Sequence, residues 1–429
     1  MREMKDSGIE WIGMIPADWN IVRIGNQYTE RKTKVSDRDY PPLSITMKGI
    51  LPQLASAAKT DAHDDRKLVC KGDFAINSRS DRRGSCGISA YDGSVSLINT
   101  ILQPRDEMNP EYYDWLFHSS MFSDEFYKWG HGIVDDLWTT NWQDMKRIAI
   151  PEPPLDEQQR IADYLSGLCA EIDAVIAKTR ATIEEYKKLK QSVITEAVTK
   201  GIRSNRPMKE PGIEWIGEIP AEWDVSRTKM LFDFGKGLPI TKENLVEKGV
   251  SVISYGQIHS KTNSGTTLND DLFRFVSEDY LNTDANSLVQ KNDFIVADTS
   301  EDLDGCGNCV FVDSDMILFA GYHTIILHSN SEDDNKYLAY LFKTDCWRSQ
   351  IRSKVSGVKL FSISKKILAD TTLLLPSIEE REEIVEYLDK QCKEIDNIIA
   401  RKTALLAEME SYKKSVIYEY VTGKKEVTV

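Results

Sequence analysis

Cys306 and Cys309, followed after 13 intervening residues by His323 and His328, form a donor set whose types and spacing match a Cys2His2 zinc site. The segments between them argue for something plainer. VFVDSDMILFAGY and TIIL read as strands, and two strand residues five apart face opposite ways. The aligned positions in the first half of the chain are Cys86, Ser89, Asn99 and Pro104. We therefore expect no metal, but buried cysteines and strand histidines, with the Cys-Gly pairs at 86–87 and 306–307 marking a tight packed turn.

Asn109-Pro110-Glu111-Tyr112 is the second candidate for chemistry. It resembles the Asn-Pro-Pro-Tyr motif with which adenine amino-methyltransferases hold an exocyclic amine. Glu111 replaces the second proline, no glycine-rich AdoMet loop lies upstream, and the corresponding residues of the second half are Asp334-Asn335-Lys336-Tyr337. A helix N-cap is the expected role. With neither a P-loop nor a G-x-S-x-G elbow in the sequence, no catalytic residue is expected.

These residues sit in a chain that writes its framework twice. KDSGIEWIGMIPADWNIVR at 5–23 returns as KEPGIEWIGEIPAEWDVSR at 209–227, an offset of 204 from Trp11 to Trp215. PPLDEQQRIADYL at 153–165 returns as PSIEEREEIVEYL at 376–388, an offset of 223 from Tyr164 to Tyr387. YKKLKQSVITEAVT at 186–199 returns in shorter form as YKKSVIYEYVT at 412–422. Between the markers lie two variable bodies, the second 19 residues longer, the difference of the two offsets.

Each second marker opens a long helix. Apolar positions alternate four and three from Ile161 through Leu165, Leu168, Ile172, Val175, Thr179, Thr182, Tyr186 and Leu189 to Val193. The second copy runs Ile384, Leu388, Gln391, Ile395, Ile398, Lys402, Leu405, Met409, Tyr412 and Val416, with Gln391 and Lys402 as polar interruptions of a coiled-coil seam. Prolines precede both helices, carboxylates occupy their first turns, and Gly201 and Gly423 lie at their ends. At about 1.5 Å per residue, a helix of about 40 residues spans roughly 60 Å and needs a partner. The expected partner is its own duplicate, antiparallel, giving a pseudo-two-fold spacer rod with one body at either end.

The bodies read as mixed α/β: strands at Pro41 to Ile45, Lys71 to Asn77 and Ser94 to Gln103, and an aromatic-rich helix from Glu111 to Phe126. KGDFAINSRSDRRGSCG at 71–87 aligns with KNDFIVADTSEDLDGCG at 291–307, so scaffold residues match where loop residues differ. The fold class expected is α+β, two similar globular domains separated by two long antiparallel helices. The divisions are 1–152, 153–204 (first long helix), 205–375 and 376–429 (second long helix).

Composition is that of a soluble globular protein, 41% apolar and 28% charged. No stretch approaches bilayer-spanning length, the first residues lack the apolar core of a signal peptide, and seven scattered cysteines fit a reducing compartment, so a cytoplasmic protein is expected. The net charge of −14 is unevenly placed: residues 21–150 contribute −1, residues 225–376 contribute −4, and the rest −9. An acidic total does not exclude a locally basic phosphate-binding surface.

The doubled GIEWIG-x-IP-x-x-W with its following arginine, and the doubled proline-acidic lead into I-x-x-YL, resemble the specificity subunit of type I restriction-modification systems, over essentially the whole chain. The second copy, EEREEI at 379–384, lacks the Gln usual after the acidic residue. The resemblance implies two target-recognition domains, each reading one half of a split double-stranded DNA sequence. It also implies helices that set the spacer and dock methyltransferase (modification) subunits, and further restriction/translocase subunits. No cofactor is then expected in this chain, since AdoMet, Mg and ATP would belong to those partners, and no membrane is involved. A coiled-coil scaffold without DNA recognition is the alternative.

Residue type and loop position nominate the DNA contacts. Arg79, Arg82 and Arg83 crowd a Gly/Ser loop, where arginine forks read guanine edges. Arg348, Arg352, Lys354, Lys359, Lys365 and Lys366 form a run without acids, suited to phosphates. Thr46 and Lys48, and Tyr255, Gln257 and His259, follow early strands and are further candidates. Trp11, Trp19, Trp215 and Trp223, repeated with fixed Gly and Pro neighbours, are assigned either to packing of each body on its helix or to a docking surface for the methyltransferase.

Overall fold

The computed structural model describes residues 2–53, 63–79, 82–105, 107–132, 138–212, 216–331, 333–357 and 359–427. It divides into two compact units, Met1–Ala181 with Lys402–Val429, and Thr182–Arg401. Both long helices are present as single elements, Leu155–Lys200 and Ile378–Val421, and each contributes one half to each unit.

The first unit is built on an antiparallel four-stranded sheet in the order Cys86–Ile88, Phe74–Asn77, Asn99–Pro104, Tyr28–Glu30. A smaller sheet joins Gly93–Ser96, Arg66–Val69 and Lys34–Val35, and Leu43–Thr46 pairs with Gly49–Pro52 as a hairpin. The expected aromatic helix is broken into Pro110–His118 and Ser120–Lys128. Ser119 is extended between them, and its hydroxyl accepts from Phe122 N–H at 3.3 Å, so the serine caps a second helix instead of continuing the first. Tyr28, Phe74, Phe117 and Phe122 interlock in the core, with ring centroids as close as 4.6 Å.

In the second unit Cys309–Phe311, Phe294–Ala297, Thr324–Ser329 and Phe232–Lys236 repeat the same strand order. Phe232, Phe294, Phe342 and Trp347 occupy the equivalent core. A second sheet of four strands flanks it, with Val250–Ile253 parallel to Leu318–Ala320. Each body closes on itself through a short antiparallel pair, Asn20–Arg23 with Ala149–Glu152 and Asp224–Arg227 with Thr372–Leu375.

The repeated marker words are explained by what they do at the helix starts. Trp19 Nε1–H donates to Glu157 at 2.9 Å, and Trp223 Nε1–H to Glu380 at 3.1 Å. Arg2 pairs with Glu157 and Asp18, and Arg206 with Glu380 and Glu222. Both glutamates are buried in the first turn of their helix, where the macrodipole adds to the attraction. Gln158 and Arg381 stand at equivalent positions and do the same job, donating to Pro153 O (2.9 Å) and Pro376 O (3.0 Å). The missing Gln of the second copy is thus replaced by another donor to the same carbonyl. The other helix ends in the same place: Tyr112 hydroxyl donates to Val421 O at 2.7 Å, and Tyr337 hydroxyl to Val198 O at 2.9 Å. Gly201 (φ +73°) and Gly423 (φ +69°) then reverse the chain in the left-handed conformation that glycine adopts freely.

Helix pairing is antiparallel in each unit. Asp173–Lys413 (2.6 Å) and Arg180–Glu410 (2.5 Å) bridge the halves in the first, and Lys190–Asp396 (2.7 Å) in the second, where Arg203, just past the first helix, also reaches Glu383 (2.8 Å). The buried line differs from the strict alternation expected. It takes two four-residue steps, Ile161–Leu165–Cys169, and then follows Ile172, Ile176, Thr179 and Ile183, leaving Val175 and Leu189 exposed. The second helix shifts at the matching residue, Cys392 rather than Gln391, and leaves Leu405 and Tyr412 exposed. An α-helix turns every 3.6 residues, so a 3.5-residue pattern drifts off the buried face unless the helix supercoils. Here the buried stripe steps over by one residue.

Two stability experiments follow. Glu380→Ala strands Arg206 and the Trp223 indole, and we expect a loss of about 3 kcal/mol in equilibrium urea unfolding. A loss below about 1 kcal/mol would remove the buried carboxylate from its organising role. Ile176→Ala is expected to cost about 3 kcal/mol and Val175→Ala less than about 0.5 kcal/mol. The reverse order would restore the strict seam.

Candidate nucleic-acid interface

In the first unit the strand Phe74–Asn77 delivers the chain into the arginine loop. Asn77 Oδ1 accepts from Arg79 N–H at 3.1 Å, and Arg79 bridges to Thr139, so the base of the loop is fixed. The Arg83 guanidinium lies 3.8 Å from the centre of the Tyr127 ring and 3.2 Å from Asp124, which holds it against the Ser120–Lys128 helix. Arg79 and Arg83 line one pocket, walled by Phe117, Phe122, Tyr127 and Trp138. Arg82 is exposed beside them. Thr46 serves the hairpin turn, donating to Gly49 O (2.9 Å) and accepting from Lys48 N–H (3.0 Å), which leaves the exposed Lys48 at the tip. That hairpin packs on the strand leaving the arginine loop, where a Cβ on Gly87 would meet Gly49 Cα at 3.0 Å.

In the second unit Tyr255 and Gln257 lie on the one-turn helix Tyr255–Ile258, with His259 just after it. Gln257 is committed to capping, its Oε1 accepting from Ser254 N–H at 3.1 Å. His259 faces Thr299 O through Nε2 (2.9 Å) and Asn308 Nδ2 through Nδ1 (3.1 Å), which selects the Nε2–H tautomer. Tyr255, His259 and Arg348 line a cleft of about 560 Å³ together with Glu301, Asp302 and Asp304. These three acids were not nominated from the sequence. The signal was there: they occupy, in the repeat alignment of 71–87 with 291–307, the loop that carries the three arginines in the first body.

The basic run at 348–366 does not form one surface. Arg348 is partly buried and spends Nε on Phe342 O (3.0 Å), and burial pulls its pKa down. Arg352 binds Asp345 (2.7 Å) and Asp304 O (2.9 Å), and Lys365 reaches Phe234 O (2.9 Å). Lys354, Lys359 and Lys366 are exposed.

The residues first considered for chemistry have structural partners. Cys306 and Cys309 are buried; His323 sits 3.2 Å from Asp298 and His328 2.8 Å from Asp293. Asn109 caps the Pro110–His118 helix, its Oδ1 accepting from Tyr112 N–H at 3.0 Å, while its amide donates to Gln159 at 2.7 Å. Cys86 lies 3.7 Å from His118 Nε2, whose Nδ1 is 3.5 Å from Asp114, an arrangement like that of a nucleophilic thiol. Burial raises the Cys86 thiol well above its ordinary pKa and raises the Asp114 carboxyl too, so the thiol stays protonated. Trp11, Trp19 and Trp223 are buried, whereas Trp215 lies outside the described residues. The burial of these three rings favours the packing alternative for them. Among the described residues, no helix is long and apolar enough to cross a membrane.

Comparison with known proteins agrees with this geometry along most of the chain. The family described as type I restriction modification DNA specificity domain matches residues 17–185 and again 220–408. The MjaVIII type I restriction enzyme specificity subunit of Methanocaldococcus jannaschii is 26% identical over 431 residues, covering 96% of this chain and 94% of that one. A solved chain described in terms of complex assembly and conformational transition of the type I R-M system shares the fold with a TM-score of 0.72 at 15% identity, covering 96% of this chain and 99% of its own. The HsdS subunit of Thermoanaerobacter tengcongensis follows with a TM-score of 0.51 at 16% identity, covering 96% and 98%. With two copies of that domain on two sheets of one strand order, the chain belongs to the type I restriction-modification DNA specificity family, as a non-catalytic subunit that recognises DNA.

Proposed function

We propose that each body reads one half of a bipartite duplex target through the loop that follows its second sheet strand, and that the helix pair sets the spacing between the halves. The observation that carries this reading is charge reversal on matched scaffolds. The same loop presents Arg79, Arg82 and Arg83 in the first body and Glu301, Asp302 and Asp304 in the second. Arginine forks suit guanine O6 and N7, while carboxylates accept from the cytosine amine. The two loops therefore favour different bases, with Lys48, Tyr255 and His259 beside them. The exposed lysines Lys354, Lys359 and Lys366 supply phosphate contacts.

Partners complete the reaction. Methyltransferase subunits dock on the helices, where the outward apolar residues Val175, Leu189, Leu405 and Tyr412 give them a surface. Restriction/translocase subunits join that assembly. AdoMet, Mg and ATP belong to those subunits, which act in the cytoplasm.

Long-read mapping of methylated adenines, in cells carrying this chain with its cognate methyltransferase, is the direct test. A split motif that appears only with the chain is the expected result; an unchanged methylome with an active partner would favour the scaffold reading. Replacing residues 21–150 with the corresponding body of a relative should change one half-site and keep the other. A change in both, or in neither, would overturn the one-body, one-half-site assignment. Lengthening the long helices by one heptad should lengthen the spacer and leave both half-sites unaltered.

A further inference from the structure

The second unit contains a cleft of about 940 Å³ between its body and its two helix segments. Six cations line it: Lys187, Lys190, Lys336, Lys343, Arg348 and Lys393. Only two carboxylates line it with them, Asp389 and Asp396, in a chain whose net charge is −14, and Arg348 also borders the neighbouring cleft of Glu301, Asp302 and Asp304. Both are already occupied, Asp389 by Lys336 at 2.7 Å and Asp396 by Lys190 at 2.7 Å. Lys187 has Glu184 at 2.7 Å outside the cleft. Among the described residues, Lys343 and Arg348 have no carboxylate within 4.0 Å.

Lys343 is the informative member. Its ammonium rests on two neutral acceptors of one residue, Asn263 O and Oδ1, each at the long distance of 3.3 Å. Burial, with Arg348 and Lys190 nearby, pulls its pKa down to about 8. Partly burying a cation beside other cations is unfavourable unless an anion offsets it. Ser264, Gly265 and Thr267 also line the cleft and carry hydroxyl and backbone N–H groups. This is the donor set of a phosphate site: converging cations for charge, and small hydroxyl residues for the remaining oxygens.

We propose that this cleft binds a phosphate group, with Lys343 as the principal ligand and Arg348 and Lys393 beside it. The phosphate comes either from the DNA backbone or from a free phosphate compound. The site makes no use of base identity, so it stands apart from the half-site reading above.

The test uses the full chain. Inorganic phosphate and pyrophosphate are titrated by calorimetry and thermal unfolding against chloride at matched ionic strength. In parallel, binding to a duplex lacking the recognition sequence is followed as a function of KCl. Lys343→Met and the exposed-rim variant Lys393→Gln are compared with the unaltered chain, with folding checked by circular dichroism. A saturable phosphate response, weakened by about tenfold in Lys343→Met, as for loss of one charge-assisted hydrogen bond, with the DNA salt slope unchanged, assigns the site to free phosphate. A salt slope lowered by about one in Lys343→Met, with phosphate competing, assigns it to the DNA backbone. If folded Lys343→Met and Lys393→Gln match the unaltered chain in both assays, the proposal is overturned. If the chain alone binds no DNA, the phosphate titration still decides this proposal, and the half-site reading is decided separately by the methylation mapping with the partner present.

Discussion

A carboxylate buried in the first turn of each long helix is the contact on which the architecture depends. Glu157 and Glu380 each accept from a tryptophan indole and pair with an arginine, and the end of the other helix docks in the same unit through a buried tyrosine hydroxyl. An ion pair out of water adds little net stability over a well-packed apolar alternative, but breaking it leaves a stranded charge. That asymmetry suits a junction whose purpose is geometric. It permits one arrangement of marker, helix start and helix end, and the chain uses that arrangement in both units.

With the junction fixed, the body is free to vary. Each body starts and finishes on neighbouring strands, Asn20–Arg23 with Ala149–Glu152 and Asp224–Arg227 with Thr372–Leu375. Whatever lies between is closed off by that short ladder. The second body is longer and adds a four-stranded sheet with a parallel pair, yet its central sheet keeps the order of the first. The central sheet is thus held constant, while the flanking sheet differs and the loop after the second strand changes from basic to acidic.

The sequence made the framework legible where one residue type answers one physical need. Acids after prolines, and the glycines Gly201 and Gly423, pointed to the helix starts and ends, and the matched KGDF and KNDF strands lie in sheets of one order. What was hidden depended on a single residue of phase or on the company of a side chain. The buried stripe passes through Cys169 and Ile176 instead of Leu168 and Val175, a shift that hydrophobic counting does not resolve because both lines are apolar. The basic run at 348–366 looked continuous, but a helix turn and a loop send its members in different directions. Arg348 is partly buried, Arg352 is held by Asp345, and Lys354 is exposed. Ser119 looked like a helix residue because serine's capping role shows only when the chain turns there.

Net charge is the property most easily misread in this chain. The −14 total suggests repulsion from a polyanion, yet much of the acid has its own work. Glu157 and Glu380 are buried in the junctions, Asp173, Asp396 and Glu410 bridge the helix pair, and Glu383 holds Arg203 just past the first helix. What the bodies present is local: three arginines around one loop, three acids around its counterpart, and scattered exposed lysines. Exposed charges farther apart than about 8 Å are largely screened at physiological ionic strength. On the reading proposed above, helix acids more than that distance from a phosphate bound at the bodies do little to repel it. On the same reading the acidic loop of the second body would repel backbone phosphate wherever it did not meet a base amine. Repulsion of that kind penalises a wrong register more than it weakens the right one, so an acidic reading loop contributes discrimination where a basic one contributes affinity.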